Sequence, residues 1–229
     1  MHELKSSAYL VKVENFKLFI ANKNYSSWSL RAWLALKEAE IKFSEEVILL
    51  GKANTLFQIQ SRSPSGKIPL LEHSGVQIWD SLAIAEYVHD LKGNDSHIWP
   101  ANMKDRAGAR SLVSEMHAGF QNLRREAPMN IRLRKELSDL SPDCLFEIKR
   151  IFQIWREQLK KSGGPYLFGD WSFADATFCP VHLRFQSYAI LYPPELLEYK
   201  NLILKRPSLN EWVASALLET ERIDKYEIF

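Results

Sequence analysis

The residues best suited to chemistry in this chain are hydroxyls and a carboxylate at two places where an extended segment runs into a helical one. Ser26 and Ser27 follow the turn-forming run Asn22-Lys23-Asn24-Tyr25 and precede Trp28–Leu36, a segment rich in helix formers. A hydroxyl and the orphan backbone N–H groups of a helix start converge on one point, which suits an anionic ligand. The same serines serve equally well as plain helix caps, and the residues alone leave both readings open. Asp80 and Ser81 stand at a second helix start, after Val76-Gln77-Ile78-Trp79. They can cap that helix, or offer a carboxylate and a hydroxyl to the ammonium and carboxylate of a ligand. Between these places lies Gly66-Lys67-Ile68-Pro69, where a proline interrupts an apolar strand. Proline cannot donate to a sheet ladder and belongs at an edge, a bulge or a special bend. A cis Ile68–Pro69 bond would present the Ile68 backbone to a peptide-like ligand pairing as an extra strand; an ordinary edge strand is the alternative.

The elements that must hold these residues follow from hydrophobic periodicity. Leu18–Ala21 has the length of a buried strand, the helix after it ends near Ala39, and Phe43–Leu50 reads as a second strand. A helix joining two strands in this way makes a right-handed parallel connection. Ile68–Leu71 and Val76–Trp79 flank His73-Ser74-Gly75 as an antiparallel hairpin, and a helix then runs from Asp80 to about Leu91. After Gly93 every strong period is helical. Ala109, Val113, Met116, Phe120 and Leu123 fall on one face, and Leu145, Ile148, Phe152, Trp155 and Leu159 on another, the second helix starting at Ser141-Pro142. Ser172 and Asp175 have the spacing of a capping box, with Trp171 as hydrophobic staple. Pro193, Pro194 and Pro207 divide the remainder into one or two shorter helices. The expected organisation is an extension over 1–16, an α/β domain over 17–92, a linker over 93–102 and an all-helical domain over 103–229.

Composition narrows the function classes. With 30 basic against 28 acidic residues there is no overall field to gather nucleic acid or an anionic membrane. No apolar run has the length of a membrane span, and Met1–Asn15 lacks the apolar stretch of a secretory signal, so the expected compartment is the cytoplasm. Cys144 and Cys179 form no CxxC pair and no metal-ligand spacing, so they read as small core residues and no metal is expected.

In order and spacing, the strand–Ser–Ser–helix start, Gly66-Lys67-Ile68-Pro69-Leu70-Leu71, Val76–Val88 and the box Ser172–Thr177 resemble the cytosolic glutathione transferase family over nearly all of the chain after residue 16. The resemblance implies a thioredoxin-like βαβαββα domain followed by an all-helical domain, glutathione as cosubstrate, a small electrophile as second substrate and a homodimer. Ser26-Ser27-Trp28-Ser29-Leu30-Arg31 is similar to the serine motif of the zeta class, which carries the catalytic role to Ser26, with Ser27 beside it; tryptophan stands at position 28 where that motif has cysteine. By the same resemblance Lys67 approaches the glycine carboxylate of glutathione, Ile68 pairs with its cysteinyl backbone before Pro69, and Asp80 and Ser81 hold its γ-glutamyl end. Ser172 and Asp175 are implied to support folding. The task such an enzyme faces is to ionise a thiol whose ordinary pKa is ~8.5; lowering it by about two units requires ~2.7 kcal/mol. A hydrogen bond to the charged sulfur supplies ~1.5–3 kcal/mol and a helix N-terminus ~0.3–1. The thiolate then attacks an electrophilic carbon or adds to a polarised double bond. His117, Gln121 and Arg124 lie along one side of the first long helix of the second domain, where a second substrate would sit or where a solvated face would be. A non-catalytic binding or regulatory protein of the same fold is the alternative reading.

Overall fold

The computed structural model describes residues 16–227. The expected extension falls on 1–15, outside the described residues, except for Phe16, which begins the first strand. The N-terminal part runs β1 (Phe16–Ala21), α1 (Ser27–Glu38), β2 (Phe43–Ile48), α2 (Thr55–Gln60), β3 (Leu70–His73), β4 (Val76–Trp79) and α3 (Ser81–Lys92). This is the thioredoxin-like order. Its four strands lie in the order β2-β1-β3-β4, with β1 and β2 parallel and the pairs β1–β3 and β3–β4 antiparallel. Alternate residues of β1 point to opposite faces of the sheet. Leu18 and Ile20 join Leu71 in a core shared with α1 and α3, while Phe19 and Leu70 pack with Ile48 and Ile59 beneath α2. The hairpin strand begins two residues later than its apolar run, at Leu70, because Pro69 stands immediately before it.

The helical part contains α4 (Met103–Ala118), α5 (Gln121–Glu126), α6 (Pro142–Ser162), α7 (Phe173–Ser187), α8 (Leu197–Leu204) and α9 (Pro207–Leu218). The face from Ala109 to Leu123 is therefore carried by two helices instead of one long helix. Gly119 breaks it where a Cβ would come within 2.8 Å of the Glu115 carbonyl oxygen, and Phe120 follows with φ 60. Left-handed backbone at a non-glycine residue carries a steric cost, and here burial of the Phe120 ring and of Leu123 opposes it. Ser141 caps α6 as expected, accepting from the Cys144 N–H at 3.2 Å. Helix α7 is buried almost all round, and α1 packs against it, against α3 and against α9. One core thus runs from the sheet through α1 into the helical part. No helix among the described residues is long and apolar enough to cross a membrane.

Candidate active site

The loop that leads from β1 into α1 is held from the far end of the chain. The Glu219 carboxylate accepts from Lys23 N–H at 2.6 Å and Asn24 N–H at 3.0 Å, and the Trp212 indole N–H donates to the Lys23 carbonyl at 3.0 Å. Asn24 is clasped from the segment after α5: its Nδ2 donates to Asn130 Oδ1 at 2.9 Å, and its Oδ1 accepts from Arg132 N–H at 2.9 Å. A rigid loop of this kind fixes where Ser26 and Ser27 enter the helix.

Ser26 is the N-cap of α1. Its Oγ accepts from Ser29 N–H at 3.2 Å and donates its proton to Ser29 Oγ at 2.8 Å, and Ser29 Oγ also accepts from Ala21 N–H. The Ser26 hydroxyl must therefore turn away from Ser29 before it can donate to a ligand. Ser27 points inward, 5% exposed, with the Arg184 guanidinium 3.4 Å from its Oγ. Trp28 turns the other way and forms a wall of a cleft of about 440 Å³.

That cleft is lined by Trp28, Ser65, Lys67, Ile68, Pro69, Trp79, Asp80, Ser81 and His117. Five of the seven residues singled out in the sequence come together here: Lys67, Ile68, Pro69, Asp80 and Ser81. Ser26 and Ser27 are not in the lining, and the helix start meets the cleft through Trp28. The Ile68–Pro69 peptide is cis. Lys67 is exposed and forms no ion pair among the described residues, while its backbone N–H donates to Ser65 Oγ at 3.3 Å. Asp80 caps α3 by accepting from Leu82 N–H at 2.8 Å, yet its φ is 78, a conformation that an L residue adopts at a cost. Its other oxygen lies 3.3 Å from His117 Nε2, and its side chain is 43% exposed. A larger hollow of about 790 Å³ lies at the turn end of the hairpin, beside Lys17, Glu72, Gly75 and Gln77, and gathers none of these residues.

Trp28, Trp79 and Ser65 are the contributions that sequence reading left out of the site, and His117 entered it only as one of two readings of a helix face. His117 and Trp28 have ring centroids 4.8 Å apart, so the helical part closes the cleft through α4. The Arg31 and Arg124 guanidinium carbons lie 4.7 and 4.8 Å from the Trp28 ring. A usable signal was present for one further neighbour: Arg184 is a cation inside the apolar run Phe178–Phe185, and such a residue is rarely buried without a task. No group of three or more His, Cys, Asp or Glu residues that could hold a metal ion occurs among the described residues.

Comparison with known proteins identifies the family. A family model described as glutathione S-transferase, N-terminal domain, matches residues 25–91, and one described as glutathione S-transferase, C-terminal domain, matches 144–216; together they span more than half of the chain. The chain is 25% identical to the glutathione S-transferase-like protein OpS6 of Beauveria bassiana, over 94% of this chain and 96% of that protein. It is 27% identical to the maleylacetoacetate isomerase of Rattus norvegicus, over 67% of this chain and 70% of that one. Among solved structures it is similar to a glutathione transferase homolog from Burkholderia gl BGR1 with bound glutathione, at a TM-score of 0.68 and 22% identity, covering 89% of this chain and 98% of that chain. At that identity the likeness is one of fold.

Proposed function

Because this chain belongs to the glutathione S-transferase family, we propose that it binds glutathione in the cleft between Trp28 and Asp80 and activates its thiol for transfer to, or isomerisation of, a small electrophile. The observation that carries this reading is the meeting of two helix starts, Pro69 with the Ile68 backbone, and a lysine around one cleft. Asp80 and Ser81 would take the γ-glutamyl ammonium and carboxylate, the Ile68 backbone the cysteinyl residue, and Lys67 the glycine carboxylate. The thiol then lies toward the start of α1, where Ser26 donates to the thiolate after leaving Ser29, with Ser27 one step deeper. The second substrate would enter along His117 and Trp28. We further read residues 17–92 as the glutathione domain, 93–102 as its connection and 103–229 as the domain that shapes the second-substrate side, in a cytoplasmic homodimer that serves detoxification.

One observation favours the second reading, a protein that binds glutathione without activating it: the Ser26 proton is already committed to Ser29 Oγ. Titration of the bound thiol by its thiolate absorbance separates the two. Activation predicts a bound thiol pKa well below that of free glutathione, raised by about one to two units in Ser26→Ala and much less in Ser27→Ala. An unshifted thiol in the wild-type complex would establish the binding protein instead. Isothermal titration showing no glutathione binding at all would remove both.

A further inference from the structure

Behind the Trp28 wall, three arginines crowd the first turn of α1, and none of them is bonded to a carboxylate among the described residues. Arg31, on α1, is 1% exposed; its Nε donates to the Thr177 carbonyl at 2.9 Å, and both of its terminal nitrogens are buried without a hydrogen-bond acceptor among the described residues. Arg124, on α5, donates to the Gly119 carbonyl at 3.1 Å and the Met116 carbonyl at 2.5 Å. Arg184, on α7, donates to the Ala127 carbonyl at 2.5 Å and reaches Ser27 Oγ. Asp80 and Glu147 are near enough to attract Arg31 and Arg124 respectively, but neither makes a bond to them.

A guanidinium stays protonated at neutral pH, and an uncompensated buried charge is costly. Burial, and then the neighbouring Arg124 and Arg184, push Arg31 well below its ordinary range, and burial brings Arg184 down to about 9. The orphan N–H groups of α1 add partial positive charge to the same region. Such a cluster attracts an anion. A monovalent sulfur anion at the start of α1 would relieve the repulsion without entering the core, since the charges act through the low-dielectric first turn.

We propose that Arg31, with Arg124 and Arg184 beside it, supplies the positive charge that stabilises the glutathione thiolate at the start of α1. The proposal rests on the glutathione reading above. Arg31 is a positioning residue: it acts through the field on a sulfur that it does not touch, and it adds to the hydrogen bond that Ser26 donates once it has left Ser29.

The test compares glutathione with S-methylglutathione, which fills the same cleft and has no thiol to ionise. In Arg31→Gln and Arg124→Gln the bound thiol pKa rises by about one unit. Calorimetry at pH 8 then shows glutathione binding weakened roughly five- to tenfold and S-methylglutathione changed by less than about twofold. Arg124 is less buried than Arg31, so its variant carries the test if Arg31→Gln does not fold. Equal weakening of both ligands, or an unmoved thiol pKa in a folded variant, overturns the proposal. Failure of the wild-type protein to bind either ligand would instead overturn the glutathione reading and this proposal with it.

Discussion

Of the carboxylates at helix starts in this molecule, Asp80 before α3 and Asp175 in the first turn of α7 are built for opposite purposes. Asp175 is fully buried and accepts from four donors: Leu167 N–H at 3.1 Å, Ser172 N–H at 3.0 Å, Ser172 Oγ at 3.3 Å and Tyr199 Oη at 3.0 Å. Asp80 accepts one backbone N–H, faces His117 and keeps the rest of its surface toward the cleft, on a backbone that disfavours any residue but glycine. A carboxylate whose lone pairs are filled by its own protein can only hold the fold together. One left partly open, on strained backbone and beside a cavity, is available to a ligand.

The largest expected effect breaks the Asp175 side of this contrast. Asp175→Ala leaves two backbone N–H groups and the hydroxyls of Ser172 and Tyr199 short of an acceptor in the core, at ~1–3 kcal/mol for each group left unpaired, so it should destabilise the protein by at least about 3 kcal/mol in urea unfolding. A loss under about 1 kcal/mol would mean that water or a neighbour replaces the carboxylate.

Nearly as large is its pH signature. Burial pushes the Asp175 carboxyl up to about 6, against the pull of its donors, so between about pH 4 and pH 6 the folded state holds a proton that the unfolded chain releases. This contribution favours folding at low pH and is lost as pH rises through 6, the reverse of a carboxylate with a lowered pKa. The stability difference between wild type and Asp175→Asn should therefore shift in favour of the variant by up to about 3 kcal/mol from pH 4 to pH 7. A difference independent of pH would show that the buried group ionises normally.

Asp80 should behave in the opposite manner. Asp80→Gly relieves the positive φ, and glycine as an N-cap costs only a few tenths of a kcal/mol, so the apo protein should be as stable as wild type or up to about 1 kcal/mol more so. Glutathione affinity should fall about 10- to 100-fold, the loss of one charge-assisted contact. A variant that loses stability but binds normally would make Asp80 a cap and nothing else. The smallest effect belongs to His117, whose contact with Asp80 is half exposed to water: His117→Asn should change glutathione affinity by about threefold or less. A tenfold change would mean that His117 itself touches the ligand.

From sequence alone, the order of strands and helices was legible because each apolar run has the length and period of its element, and the helix starts at Ser26, Asp80, Ser141 and Ser172 were legible because capping is local chemistry. Ile68, Pro69, Asp80 and Ser81 could be picked out on local grounds, a proline in a strand and a carboxylate with a hydroxyl at a helix start, whereas Lys67 was singled out only through the family resemblance. The break at Gly119-Phe120 was not legible, since the apolar period continues across it and the helix ends where the backbone turns extended at Gly119 and left-handed at Phe120. Nor could local pattern separate Asp80 from Asp175, or show that Trp28, and not the two serines before it, faces the cleft. Those outcomes depend on which groups arrive from distant helices: Tyr199 onto Asp175, His117 onto Asp80, and Arg124 and Arg184 around Arg31. Caps and strands are set by neighbours along the chain, whereas the charge and openness of a site are set by neighbours through space, and only the folded packing of α4, α5 and α7 around α1 and the start of α3, and of α8 against α7, decided them.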